Sequence, residues 1–263
     1  MTDWLALVIG NTRWHWAWFR RSDLQQVWHT DHLSHPPPAD ITLQSIWSKA
    51  VTPQIPPQIL DLPLDSIAIW AVSVVPTQAQ YLQPLSQVQW IHHVGLKNTY
   101  PTMGLDRVVT LWGAGQRYGW PVLVIDGGTA LTFTAGAEET FVGGAILLGV
   151  RSHLAALHHA TAALPSVSPP TTMPPRWAND TPGAIQSGVI LTVLASIDQY
   201  IQSWQQQYPE STVIFTGGDG NYLHRFYQQT LNQNQALLNR AWFDPNLMFW
   251  GIAHYRKEAT RAL

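Results

Sequence analysis

Val122-Leu123-Val124-Ile125-Asp126-Gly127-Gly128-Thr129-Ala130 decides the reading of this chain. Its first four residues are apolar and mostly β-branched, the composition of a strand buried on both faces. The run then breaks into an aspartate, two glycines and a hydroxyl residue. Glycine lets the backbone pass close to a ligand, and the N–H groups of such a turn, with a threonine hydroxyl, suit phosphate oxygens. The same pattern stands near the N-terminus, where Leu5-Ala6-Leu7-Val8-Ile9 runs into Gly10-Asn11-Thr12. Two such turns, far apart in one chain, predict two related halves that grip one nucleotide.

The segments between and around them agree. Trp14 to Phe19 reads as the hairpin partner of the first strand. A proline-dotted stretch (Pro36, Pro37, Pro38, Pro53, Pro56, Pro57, Pro63) surrounds one short helix over 43–50. Ser66 to Val75 is a strand closed by Pro76, with a helix after it, and Val88 to Val94 is another strand. Asp106 to Tyr118 has helical spacing, with Val109, Trp112 and Gly113 on one face. Strands recur at 122–125, 131–135, 140–146 and 213–216; helices are expected over 151–163, 184–207 and from Leu223 onward. Ser166 to Pro182 reads as an irregular loop. The order predicts an α/β protein of two similar halves, 1–119 and 120–263, each with strands flanked by helices.

Composition narrows the function classes. The chain of 263 residues is 46% hydrophobic, long enough to bury a sizeable core. Its net charge is −2 with no basic block, which argues against nucleic acid as a partner. Cysteine is absent, so thiol chemistry is excluded. Met1-Thr2-Asp3-Trp4 carries no basic stretch before the apolar run, and no apolar run approaches the roughly 20 residues of a membrane span. A soluble cytoplasmic protein is expected. The 14 tryptophans read as core or interface packing.

Four glycine turns stand out: Gly10-Asn11-Thr12, Gly127-Gly128-Thr129, Gly143-Gly144 and Thr216-Gly217-Gly218. There is no Gly-x-x-x-x-Gly-Lys-Ser/Thr P-loop, no dinucleotide fingerprint and no Gly-x-Ser-x-Gly elbow. Tyr100-Pro101-Thr102-Met103-Gly104-Leu105-Asp106-Arg107 places a carboxylate and a guanidinium at the start of a helix. Asp106 there could act as a general base and Arg107 as an anion or amide clamp; the competing reading is an N-terminal charge beside a surface arginine. Asp126, ending an apolar strand, needs a cation or N–H donors, and a metal or monovalent-cation ligand is favoured over a structural role. His92, His93, His153, His158 and His159 have no metal-site spacing and receive no function.

Together, Val8-Ile9-Gly10-Asn11-Thr12, Ser73-Val74-Val75-Pro76, Gly104-Leu105-Asp106-Arg107, Asp126-Gly127-Gly128-Thr129-Ala130-Leu131-Thr132, Gly143-Gly144-Ala145-Ile146, Asn179-Asp180-Thr181 through Ser187-Gly188, and Thr216-Gly217-Gly218 resemble the motif series of type III pantothenate kinases. The resemblance spans nearly the whole chain. It implies two ribonuclease-H-like halves of the acetate-kinase/actin ATPase type, with mixed sheets flanked by helices. It also implies phosphorylation of pantothenate by ATP, the first step of coenzyme A synthesis, by a homodimer that uses Mg²⁺ and a monovalent cation (K⁺ or NH₄⁺).

Carried over by motif, Val8, Ile9, Gly10, Asn11, Thr12, Arg13, Trp14 and His15 would meet ATP, as would Thr129. Asp106 matches the catalytic base. Tyr100, Gly104, Leu105 and Arg107 match the pantothenate pocket, and Thr181 a substrate contact from the partner subunit. Asp126 matches the monovalent-cation ligand. The chain departs from the family at three positions: Val8 stands where aspartate is usual, Leu148 where proline is usual, and Gly127 where alanine is common. The Val8 change removes a carboxylate expected near the Mg–ATP phosphates and favours an alternative, a non-catalytic nucleotide- or metabolite-sensing accessory protein. Retention of Asp106, Arg107, Asp126 and Thr129 favours the kinase, with a different sugar- or acid-kinase specificity as a third possibility.

Overall fold

The computed structural model describes residues 3–37, 41–48, 55–230 and 240–261. Met1, Thr2, Pro38, Pro53 and the last two residues of the helix expected over 43–50 lie outside the described residues. The chain forms two compact units, Met1–Gly113 with Met248–Leu263, and Ala114–Leu247. Each has a five-stranded mixed sheet.

The first sheet is built from β1 (Asp3–Ile9), β2 (Arg13–Arg20), β3 (Asp23–Asp31), β4 (Ala68–Ser73) and β5 (Val88–Trp90). Their spatial order is β3-β2-β1-β4-β5, with β1 antiparallel to β2 and parallel to β4. The second comprises β6 (Val122–Gly127), β7 (Ala130–Ala137), β8 (Thr140–Leu148), β9 (Thr212–Thr216) and β10 (Ala241–Phe243). Its order, β10-β9-β6-β7-β8, repeats the first with the same sense at every pair. The duplication predicted from the two glycine turns is therefore visible in the strand order.

In the first unit, Trp4 to Ile9 are all buried, as the apolar run requires. Alternate residues of β1 face opposite ways. Leu5, Leu7 and Ile9 pair with Trp18, Trp16 and Trp14 and join Trp28 and Trp47 in one core. Trp16 stacks on Trp28 with ring centroids 6.0 Å apart, and its Nε1 donates to Thr30 Oγ1 at 3.1 Å. The other face takes Trp4 and Phe19, which meet the C-terminal helix, α7 (Leu247–Ala259), through Arg256 and Trp250. Helix α3 (Leu105–Tyr118) meets α7 in this unit at Val109. Short helices α1 (Leu43–Ser48) and α2 (Pro76–Gln80) lie on the tryptophan side, with Pro76 opening α2 where it closes the preceding strand segment.

In the second unit, Leu123, Ile125, Leu131, Phe133, Val213 and Phe215 form a core with α4 (Val150–Ala160), α5 (Thr181–Gln207) and α6 (Gly220–Thr230). α5 starts where the sequence places its cap: Asp180 accepts a hydrogen bond from the Gly183 N–H at 2.8 Å, with Pro182 in the first turn. It begins before the expected residue 184, and Pro182 belongs to it rather than to the loop. Contrary to the expectation that no run approaches a membrane span, α5 is, among the described residues, the one helix long and apolar enough to cross a membrane, an 18-residue stretch of it having a mean hydropathy of 1.3. Its apolar face, from Ile185 to Trp204, is buried in the core of its own unit.

β3 has no counterpart in the sequence reading, and the stretch from Leu223 onward, expected as helix, holds the strand β10 between α6 and α7. The expected halves, 1–119 and 120–263, also differ from the compact units, because the residues from Met248 onward group with the first unit. A Cβ on Gly251 of α7 would overlap the Val109 carbonyl oxygen of α3. That close approach is possible only for glycine. Gly251→Ala should therefore destabilise the protein by about 1–3 kcal/mol through overpacking; denaturant unfolding of both forms measures it.

Candidate active site

The site residues of the first unit lie at one end of its sheet. Gly10, Asn11 and Thr12 form the hairpin turn between β1 and β2, closed by the Gly10 N–H donating to the Arg13 carbonyl at 3.1 Å. Asn11, Thr12 and Arg13 are exposed, Gly10 and His15 half-buried. Val8, Ile9 and Trp14 are buried, so they can offer a ligand only backbone groups. Trp14 also has a structural task, since its Nε1 donates to Gln78 Oε1 at 3.2 Å.

Asp106 sits in the first turn of α3, as the sequence places it. Its Oδ1 accepts the Arg107 N–H at 2.8 Å. A Cβ on Gly104 would fall 2.6 Å from that oxygen, so a larger residue there would push the carboxylate out of its present position. Burial raises the Asp106 pKa above the ordinary carboxylate range, and the Arg107 N–H and guanidinium oppose the rise. Arg107 Nη1 donates to the Tyr100 hydroxyl at 3.1 Å, and Tyr100 is exposed. Tyr100, Gly104, Leu105, Asp106 and Arg107 thus form one patch that pairs a proton acceptor with a cation.

In the second unit Asp126 is the penultimate residue of β6, half-buried. It pairs laterally with Thr132 on β7 and Thr216 on β9, which puts the three on one face of the sheet. The hydroxyls of Thr132 and Thr216 are buried without a hydrogen-bond partner. A Cβ on Gly217, whose φ is +83°, would overlap Asp126 Oδ1, so the carboxylate lies directly over that glycine. A carboxylate in register with two orphaned hydroxyls is a donor set that fits a cation taking oxygen ligands.

Beside it the Gly127-Gly128-Thr129 turn meets the start of α4. The Gly149 N–H and the Ser152 hydroxyl both donate to the Thr129 carbonyl, at 3.0 and 2.7 Å, and the Thr129 side chain is exposed. The Thr216-Gly217-Gly218 turn joins the same cluster, because the Asp219 N–H just after it donates to the Gly127 carbonyl at 2.7 Å. Gly143-Gly144 does not: it lies within β8, opposite Ala135 and Thr134. Thr181, the first residue of α5, lines a separate surface depression with Leu157, Leu164 and Ile185.

The sequence reading gave Thr132 and Thr216 no role beyond their motifs. For Thr132 the signal is its offset of six residues from Asp126 across a hairpin, which the strand register supplies; Thr216 comes in from a parallel strand and has no such signal. His29 and His32 were also missed. His15 Nδ1 and His29 Nδ1 are 3.1 Å apart, and His32 Nε2 donates to the Gly10 carbonyl at 2.8 Å.

A family model described as type III pantothenate kinase matches residues 4–203. The chain is 38% identical over 273 residues to a type III pantothenate kinase of Nostoc sp., covering 95% of this chain and 93% of that one. It is 40% identical to the one from Synechocystis sp., over 95% and 89% of the two chains. Against the one from Synechococcus elongatus it is 43% identical over 83% and 85%. Among solved structures, a Campylobacter jejuni protein described as a Baf family transcriptional activator superposes with a TM-score of 0.64 at 17% identity, over 98% and 99% of the chains. The ROK hexokinase of Thermus thermophilus gives 0.50 at 9% identity, over 98% and 100%. A propionate kinase of Francisella tularensis gives 0.51 at 8% identity, over 97% and 99%. At such identities the structural likeness is one of fold, the duplicated ribonuclease-H-like fold of actin-type ATPases. The family-model match and the near full-length identities to its members show that this chain belongs to the type III pantothenate kinase family.

Proposed function

We propose that this protein transfers the γ-phosphoryl group of ATP to the primary hydroxyl of pantothenate, the entry step of coenzyme A synthesis. The observation that carries this reading is Asp106: a half-buried carboxylate at a helix start, with raised proton affinity, beside Arg107 and Tyr100. Asp106 takes the hydroxyl proton as that oxygen attacks the γ-phosphorus. The new O–P bond forms as the β–γ bridging bond breaks, and ADP leaves with that electron pair. Arg107 and Tyr100 orient the acid end of pantothenate. Turn residues Gly10 to Thr12 and Thr129 hold phosphate oxygens. A non-catalytic accessory role is not favoured, since the family is one of kinases.

Asp126, with Thr132 and Thr216, would hold the monovalent cation, which when bound supplies positive charge next to the phosphate-type turns. For Mg²⁺ the fit differs. Position 8 is a buried valine whose lateral neighbour on β2 is His15, so the end of β1 offers no carboxylate ligand. This strand end would hold no magnesium by a side chain, and the ion's remaining ligands would have to come from the nucleotide and water. The homodimer reading rests on the outer face of α5. Gly188, Thr192 and Ala195 there are exposed and uncharged, and Trp177 beside them is 85% exposed. In that dimer Thr181 reaches the partner's substrate. The cytoplasm, where ATP and pantothenate meet, is the compartment that suits this chemistry.

Asp106→Asn should lower kcat by about 10²–10⁴-fold with an unchanged thermal melt. In the wild type the raised pKa sets the direction of the pH profile: protonated Asp106 cannot accept the hydroxyl proton. The acid limb of kcat should therefore fall at a higher pH than an ordinary carboxylate gives, and vanish in the variant. Steady-state kinetics from pH 4 to 8 check both outcomes.

Rates in potassium, ammonium and a bulky organic cation should differ strongly. Asp126→Ala and Thr216→Val should each level them, read by coupled ADP release in the three salts. Ala195→Arg should convert a dimer to a monomer in light scattering at micromolar concentration, and activity should fall with it if Thr181 acts across the interface.

A further inference from the structure

A row of side chains crosses the first sheet at its turn end. By strand register Val72, Val8, His15 and His29 lie side by side on β4, β1, β2 and β3, on one face. The two imidazoles meet edge to face, with ring centroids 4.8 Å apart and the Nδ1 atoms 3.1 Å apart. One proton lies between those nitrogens, since one must donate and the other accept. His15 Nε2 leans over the glycine turn, 3.4 Å from where a Gly10 Cβ would stand. His32 closes the turn from the other side through the Gly10 carbonyl, which can only accept, so His32 Nε2 carries the hydrogen.

Resting on the reading that ATP docks at the first glycine turn, we infer that His15 and His29 act as one proton-accepting pair that grips the triphosphate and takes up a proton as the nucleotide binds. The shared proton leaves His15 Nε2 as the donor facing the turn when His15 accepts at Nδ1. The exposed His29 ring then has its Nε2 open to a second proton, and the pair becomes a monocation against the phosphates.

The groups around the pair set its resting charge. Arg13 precedes His15 by two residues on the same face of β2, and Asp31 lies opposite Arg13 on β3. His32 follows β3, while beside the pair β1 and β4 present Val8 and Val72, and the turn after β1 presents Gly10. Burial, His29, Arg13 and His32 lower the His15 pKa to about 4, and burial and Arg13 lower that of His29. The pair is thus neutral at pH 7 in the free protein. A polyphosphate reverses the local field and raises both values, so binding draws a proton from solution.

The test is titration calorimetry of the full chain with the magnesium complex of a non-hydrolysable ATP analogue, at pH 6.5, in two buffers of different ionisation heat. Wild type should show net proton uptake, and its Kd should weaken about threefold or more from pH 6 to pH 7, within the tenfold limit for one proton. Tripolyphosphate should reproduce the uptake, and adenosine should not. His15→Gln and His29→Gln, each checked by thermal melt, should bind with little uptake and a flat pH dependence. Binding without buffer dependence, or uptake in either variant equal to that of wild type, overturns the pair while leaving ATP at the first turn. No binding of the analogue to wild type overturns both.

Discussion

A strand buried on both faces can present a polar group only at its end, where the chain leaves the sheet and water or a ligand becomes reachable. β1 and β6 are such strands, each at the centre of its sheet, each flanked by an antiparallel hairpin on one side and a parallel strand on the other. While Asp106 and Arg107 are placed by the start of α3, the glycine turns and the rows of side chains beside them follow from where those strands stop. The glycine turns fall there because the backbone must bend sharply without a side chain in the way. The lateral neighbours on the adjoining strands are then brought into register with the last residues of the central strand.

That register gives the two units equivalent rows with opposite chemistry. In one, Asp126 stands between Thr132 and Thr216; in the other, Val8 stands between His15 and Val72. The first row is anionic and rich in oxygen, suited to a cation. The second has no carboxylate and ends in imidazoles, suited to phosphate. A single strand order thus carries both rows, and the difference between them lies in the side chains alone.

Much of this was legible from the sequence, for a physical reason. β1 and β6 are continuous apolar runs ended by glycine, and the helix start at Gly104 to Arg107 places Asp106 by local geometry alone. β3 was not legible, because it is an edge strand in which Gln25, Gln26 and His29 are exposed and its alternation is weak. β10 has only three residues and an exposed Trp242, too little for a periodic signal. His29 and Thr216 carry no local mark of function. They become neighbours of His15 and Asp126 only through strand pairing, which spacing in the chain does not record.

The grouping of Met248 onward with residues 1–113 has a consequence for how the chain is made. Unit 2 is one continuous stretch, Ala114–Leu247, and all of its strands and its core helices are available once that stretch has left the ribosome. Unit 1 is interrupted. The face of its sheet that carries Trp4 and Phe19 stays bare until α7 arrives, more than a hundred residues after α3. Closing so long a loop is slow, and an uncovered tryptophan-bearing sheet is prone to the wrong partners in the meantime. The half that begins first therefore finishes last, and its tryptophan-bearing face is the last part of the two sheets to be covered during synthesis.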